Sequence, residues 1–372
     1  MSITGNCPVE FSAVQDAFEE NFEEGLELGA AFAVFIDGQC LIDIKGGFAD
    51  KQKTIPWADN HIASIYSSGK AVVAYLIAKA VAEGFLDYDT PVAHYWPEFS
   101  EKGKDHITLA QVLSHQGGLC GFEQAMDPSI WLDWDETCSL IASMEPLWEP
   151  GTHNGYHPQT FGYIAGEVYR RAYGKTLSES LRATGLDIYC GLEAEEITRT
   201  PYMAKPTRAP HLGDITELKK IAFLKPWSST GSGTGSVSRE QWMTAHIPAS
   251  NMHGSAKALA QLLHPIANDG RDIDGDDILT QSSLSGLFQE RSHGEDLVLP
   301  YTLSWAAGVM RNHYGHFGPN KNALGQAGFG GSAVVMDPDH RMSIAYVMNK
   351  MSHHLVGDPR YLKLIHAVYG CL

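Results

Sequence analysis

Residues 64–86 read SIYSSGKAVVAYLIAKAVAEGFL. A run this apolar on every side predicts a buried central helix, and a buried helix rarely carries a lysine at its front. Ser67 and Lys70 stand three residues apart, so on a helix they share a face and the ammonium lies beside the hydroxyl. A helix N-terminus offers backbone N–H donors and a positive potential, which favour an oxyanion and disfavour a cation. Desolvation acts on Lys70 in the same direction and lowers its pKa, until a neutral amine can take a proton from a serine. The plainer alternative is a capping serine with a lysine stem lying along the helix. An S-x-x-K spacing arises by chance about once in a chain of this length, so the rest of the sequence has to decide.

A chain of 372 residues is too long for one simple core and suggests two domains, or one with a large insertion. Hydrophobic content of 44% is that of an ordinary globular chain, and the formal charge of −17 argues against nucleic acid or anionic membrane as a partner. No apolar run reaches the roughly 18 residues of a spanning helix. The opening MSITGNCPVEFSAVQDAFEENFEEG lacks a basic n-region and an apolar h-region, so no secretory signal is expected. Cys7, Cys40, Cys120, Cys138, Cys190 and Cys371 are scattered without a C-x-x-C pair. They are expected as free thiols in a reducing compartment, which makes the cytoplasm the expected location.

From Val9 to about Leu28 the pattern predicts an amphipathic helix rich in acid. GAAFAVFIDGQCLIDIKGGFAD (29–50) then places two apolar runs around Asp37-Gly38, a hairpin signature. GGSAVVMDPDHRMSIAYVMNKM (330–351) repeats the arrangement around Asp337-Pro-Asp, and RYLKLIHAVYGCL (360–372) closes the chain as a helix. Two ends that are both helix plus hairpin predict one antiparallel sheet built from both termini and faced by their helices. The middle, from about 70 to 225, is mostly helical, PWSSTGSGTGSVS (226–238) is loop-like, and HGSAKALAQLLHPIANDG (253–270) is a helix ended by Gly270. The expected class is α/β: a sandwich domain from 1–70 and 226–372, a mostly helical domain from 71–225, and an active site at their junction.

Several chemistries drop out. No G-x-S-x-G elbow and no H-E-x-x-H occurs, and SSGKA fails the P-loop pattern at Ser64 and Ala71. His313/His316 and His353/His354 lack carboxylates at ligand spacing, so no metal site is expected, and none of the motifs calls for an organic cofactor. Two segments add to Ser67 and Lys70. WEPGTHNGYHPQTFGYIAGEVYRRAYGKTL (148–177) puts Tyr156 in a Gly/Pro-rich turn before a helix, where a phenol near an amine can shuttle protons. ALGQAGFGGSAVVMDPD (323–339) puts glycines at the start of a strand, where backbone can approach a ligand.

S-x-x-K, then PGT…Y, then a glycine-rich strand entry: in that order the chain resembles the serine β-lactamase and penicillin-binding superfamily. Within it the likeness is to the class C β-lactamase-like carboxylesterases, the family VIII esterases. ITLAQVLSHQGGL (107–119) resembles that family's T-x-x-x-L-L-x-H-x-S-G-L segment, and residues 149–175 resemble its tyrosine region. The likeness runs from about residue 10 to the C-terminus. It implies a β-lactamase-like fold and a serine carboxylesterase that hydrolyses short-chain neutral esters through an acyl-enzyme. By position it makes Ser67 the nucleophile, Lys70 its base partner and Tyr156 the second proton-transfer residue. The oxyanion hole would be the backbone N–H groups of Ser67 and Phe329. Gln326, Ala327 and Gly328, in place of K-T-G, would bind substrate together with His157 and Pro158, while His115 reads as structural.

The departures bear on substrate. Where class C β-lactamases have Y-x-N, this chain has Tyr156-His157-Pro158, and proline offers neither a side-chain amide nor an N–H. The K-T-G lysine is the neutral Gln326. Both changes remove groups suited to an anionic β-lactam and leave attack on a neutral ester intact. The rival readings are an acyltransferase, a weak β-lactamase or peptidase on the same site, or a catalytically silent binding protein. The expected partner is a small-molecule ester.

Overall fold

A computed structural model describes residues 3–223, 225 and 237–372. The loop reading of 226–238 falls, from 226 to 236, outside the described residues. Strands β2 (Gly29–Ile36) and β3 (Gln39–Gly47) join at Asp37-Gly38, both with positive φ (47° and 80°), the backbone that a two-residue hairpin turn demands. Strands β11 (Ala333–Asp337) and β12 (Met342–Met348) form the second hairpin. The two hairpins meet directly: β2 pairs with β12 antiparallel, with Ala33 opposite Ala345, so the chain termini together make the sheet centre.

Among the described residues this sheet has nine strands, all antiparallel to their neighbours. Strand β1 (Ile3–Asn6) edges it beside β3. Beyond β11 follow β10 (Leu324–Ala327), β9 (Met310–Arg311), β8 (Thr302–Trp305) and β7 (Ser292–Glu295). Successive side chains of β2 go to opposite faces. Phe32 and Val34 join a core with helix α1 (Ser12–Glu23) and the C-terminal helix Pro359–Tyr369, whereas Ala31, Ala33 and Phe35 join a second core. That second core contains helix Ala256–Ala267 and helix α2 (Gly69–Ala82). Both faces being covered, the central strands read as unbroken apolar runs instead of alternating ones.

Three expectations shift. The N-terminal helix is shorter than the Val9–Leu28 pattern, because Val9–Phe11 is a 3-10 turn and Gly25, at φ 68°, turns the chain after Glu23. Ser67 does not sit in the first turn of the α-helix; it lies in a 3-10 turn, Tyr66–Ser68, that leads into α2. The mainly helical middle also supplies a strand, β5 (Ile188–Tyr189), to a small sheet with β4 (Ala63–Ser64) and β6 (His253–Gly254). Among the described residues, no helix is long and apolar enough to cross a membrane.

Candidate active site

The turn that carries Ser67 is strained. Tyr66 has φ 46°, in the left-handed region that a bulky side chain avoids, at a cost on the order of 1–3 kcal/mol. Surrounding contacts hold it there. Ser68 is fully buried, 3.0 Å from Ser332 Oγ, and its hydroxyl donates to the Gln326 carbonyl at 3.4 Å. Ser332 donates to the Ile65 carbonyl at 2.7 Å. Of two adjacent serines, one is thereby tied to the sheet while Ser67 faces an open cleft.

Lys70 has no exposed surface and no carboxylate partner among the described residues. Its Nζ donates to the carbonyls of Pro158 and Ala249, each at 3.0 Å, and lies 3.4 Å from Ser67 Oγ. Burial holds its pKa well below that of an ordinary lysine. Tyr156 reaches the same oxygen from the other side, its phenol donating to Ser67 Oγ at 2.7 Å, and its ring lies 4.7 Å from Lys70 Nζ. Burial, with a smaller contribution from the Asp296 charge, raises the phenol pKa, so Tyr156 is a proton donor at rest.

The Tyr156 turn is pinned from below. Asp296, itself buried, accepts the Tyr156 backbone N–H at 2.9 Å, the Val298 and Leu299 N–H groups, and the Asn154 amide at 3.0 Å. Trp305 stacks on the Tyr156 ring at 5.9 Å, and His115 sits 4.8 Å away. Neither neighbouring histidine is a base for Ser67. His115 Nδ1 accepts the His157 N–H, and His157 is held between the Leu119 N–H and the Gly155 carbonyl. Burial pushes His157 down to about 3 and His115 well below its usual value.

The glycine-rich segment meets the serine turn edge on. A Cβ at Gly328 would lie 2.2 Å from both the Ile65 carbonyl and Ser332 Oγ, so only glycine lets β10 approach. Gly328 donates to the Ser332 carbonyl and accepts from Gly331, and among the described residues the Phe329 N–H has no acceptor. Arg360, buried between Glu27 and Asp358, donates to the Gly330 carbonyl at 2.7 Å and fixes this turn from the C-terminal helix.

A cleft of about 970 Å³ opens over these groups. Ser67, Tyr156, Pro158, Gln326, Ala327 and Phe329 line it; Gly328 lies behind it, against the serine turn. His157 does not reach the cleft, which corrects its reading as a substrate contact: both ring nitrogens are engaged inside the fold. Gln326 is buried, its Nε2 donating to the Ala327 carbonyl and its Oε1 unpaired among the described residues. Pro158 serves Lys70 through its carbonyl, a role that needs no side chain. The sequence reading missed Gln159, which lines the cleft and accepts the Ser250 hydroxyl at 2.5 Å. It also missed Asp296 and Arg360, for which no local pattern exists. Among the described residues, no group of three His, Cys, Asp or Glu side chains could hold a metal ion.

A beta-lactamase family model matches residues 17–367. A penicillin-binding protein homolog from Caulobacter crescentus is 44% identical with a TM-score of 0.94, each chain fully covered. A family VIII carboxylesterase is 36% identical with a TM-score of 0.92, again over the whole of both chains. The esterase/beta-lactamase LipL of Mycobacterium tuberculosis is 28% identical, covering 95% of this chain and 84% of the relative.

Proposed function

Since the chain belongs to the beta-lactamase family, we propose that it is a serine carboxylesterase working through an acyl-enzyme on Ser67. One observation carries this: a buried lysine without a counter-ion among the described residues and a protonated phenol both converge on one cleft-facing serine oxygen. A neutral lysine has two N–H groups and one lone pair. With both N–H groups on the carbonyls of Pro158 and Ala249, the lone pair of Lys70 is left for the Ser67 proton.

Ser67 Oγ attacks the ester carbonyl as Lys70 takes its proton. The oxyanion is received by the N–H groups of Ser67 and Phe329, donors of a kind commonly worth about 3 kcal/mol each in the transition state. Tyr156 gives its proton to the departing alkoxide and regains one from the Lys70 ammonium. Water then enters, and the same groups release the acid in the reverse sense.

Likeness to a family VIII carboxylesterase supports ester over amide substrates. The neutral Gln326 and the absent amide at Pro158 favour an ester with a short acyl group and no charge beside the scissile bond. The six unpaired cysteines fit a reducing compartment, the cytoplasm. A fluorophosphonate probe followed by peptide mapping tests the reading. The label is expected on Ser67 alone, and Ser67→Ala should keep the fold and lose turnover of 4-nitrophenyl butyrate. Label on Ser68, or an active Ser67→Ala, would overturn it.

A further inference from the structure

The cleft differs in charge from the rest of the molecule. The chain has 44 acidic against 27 basic residues, yet among the described residues no aspartate or glutamate lines the cleft. Lys205, Arg208 and Arg239 do line it, all three exposed, and residues 226–236 contain no charged side chain. Apart from these three cations, the described residues that line the cleft are uncharged, and Gln326 beside the serine turn is neutral.

The cleft rim that carries these cations is built. Ala204 donates to the Asn349 carbonyl at 2.7 Å and accepts from Met351 at 2.9 Å, which ties the segment beside Lys205 to the end of β12. Its far end is gripped by Lys219, whose ammonium donates to the carbonyls of Leu212 and Asp214. Arg239 is steadied by the Thr200 hydroxyl and the Pro201 carbonyl. Lys205 and Arg208 have no ion-pair partner among the described residues. Two unpaired cations thus lie on a segment anchored at both ends, in a molecule whose surface is otherwise rich in carboxylates. The cleft, at about 970 Å³, is also far larger than a short acyl group fills.

We propose that the cleft takes esters carrying an anionic group several bonds from the scissile carbonyl, bound by Lys205, Arg208 and Arg239. This rests on the esterase reading and refines it: the ester is uncharged where it reacts and anionic at its far end. Apolar side chains between, among them Met310, Trp242 and Leu355, would cover the connecting chain.

Two matched pairs of substrates test it in wild type and in Lys205→Gln/Arg208→Gln. On the acyl side the pair is mono-4-nitrophenyl adipate against 4-nitrophenyl hexanoate; on the alcohol side, 4-acetoxybenzoate against its methyl ester. The readout is the anionic-to-neutral ratio of kcat/KM, in which leaving-group differences cancel between enzymes. At low salt the ratio for at least one pair should fall about tenfold in the variant, and in wild type it should fall as added salt screens exposed charges. A Lys205→Glu/Arg208→Glu variant, with its fold checked by circular dichroism, should lower that ratio further. Ratios that do not respond in either pair, while hexanoate is turned over, overturn this proposal alone. An intact wild type that hydrolyses neither neutral ester overturns the esterase reading and this one with it.

Discussion

The Tyr156 backbone N–H donates to the Asp296 carboxylate at 2.9 Å across 140 residues of sequence. The contact lies beneath the catalytic candidates and not in the cleft. Asp296 gathers three backbone N–H groups and one amide, so the loop after β7 and the turn bearing the phenol are held as one unit. Burial raises the carboxylate pKa against the pull of those four donors, and the charge in turn helps keep Tyr156 protonated.

Replacing Asp296 should therefore harm rate more than binding. Asp296→Asn keeps one acceptor oxygen but can set an N–H₂ against the Asn154 amide. A stability loss of about 1–3 kcal/mol in urea denaturation is expected. A shift of the phenol by an ångström can lower kcat by about 10²-fold, with KM changed much less. An unaltered kcat in a folded variant would show that the turn holds Tyr156 without this carboxylate.

The Lys70–Tyr156 pair predicts a particular pH profile. A neutral amine acting as the base should lose activity as pH falls through the Lys70 pKa, which burial places well below the ordinary value of ~10.4. The phenol pKa moves the opposite way, so a plateau should separate the two limbs. Lys70→Arg should be inactive, since a guanidinium does not give up its proton. Lys70→Ala and Tyr156→Phe should each lower kcat by at least ~10²-fold, and the double variant should be no worse than either alone. An acid limb that survives in the residual activity of Lys70→Ala would assign it elsewhere.

Gly328→Ala tests the approach of β10 to the serine turn. φ at this position is not positive, so the cost is steric: the added methyl would meet the Ile65 carbonyl and Ser332 Oγ, both at 2.2 Å. Moving either group displaces the turn that presents Ser67 or the N–H of Phe329. Loss of one oxyanion donor commonly costs about 10²–10³ in kcat, and a loss on that scale is expected here. Retention of more than about a tenth of wild-type kcat would place the oxyanion site away from this turn.

Gln326 sets the comparison between esters and β-lactams. A carboxylate next to the reacting ring finds no cation at 326 and forgoes a charge-assisted bond worth up to about 3 kcal/mol. Short neutral aryl esters should exceed a chromogenic cephalosporin in kcat/KM by orders of magnitude. Gln326→Lys should narrow the gap, provided the new ammonium leaves Lys70 neutral, which the acid limb of the ester profile reports. Efficient wild-type cephalosporin turnover would contradict this.

The sequence by itself determined most of the elements and which residues are the candidates for reaction. Both hairpins are written in two apolar runs around Asp37-Gly38 and Asp337-Pro-Asp, because turn chemistry and side-chain period are local properties. Ser67 and Lys70 are legible for the same reason, since a three-residue spacing on a turn-then-helix is itself a distance. The limits of local reading show at Ser67, whose 3-10 turn depends on contacts with Ser332 and β10 that no window around residue 67 contains. Only tertiary structure decided that Lys70 is sealed without a counter-ion among the described residues, that Tyr156 arrives 89 residues later within 2.7 Å of Ser67, and that His157 turns inward. It alone set the support from Asp296 and Arg360, and gathered three cations on one rim. Burial, desolvation and packing depend on which distant segments meet, and that is fixed by the whole fold at once, not by the spacing of neighbours along the chain.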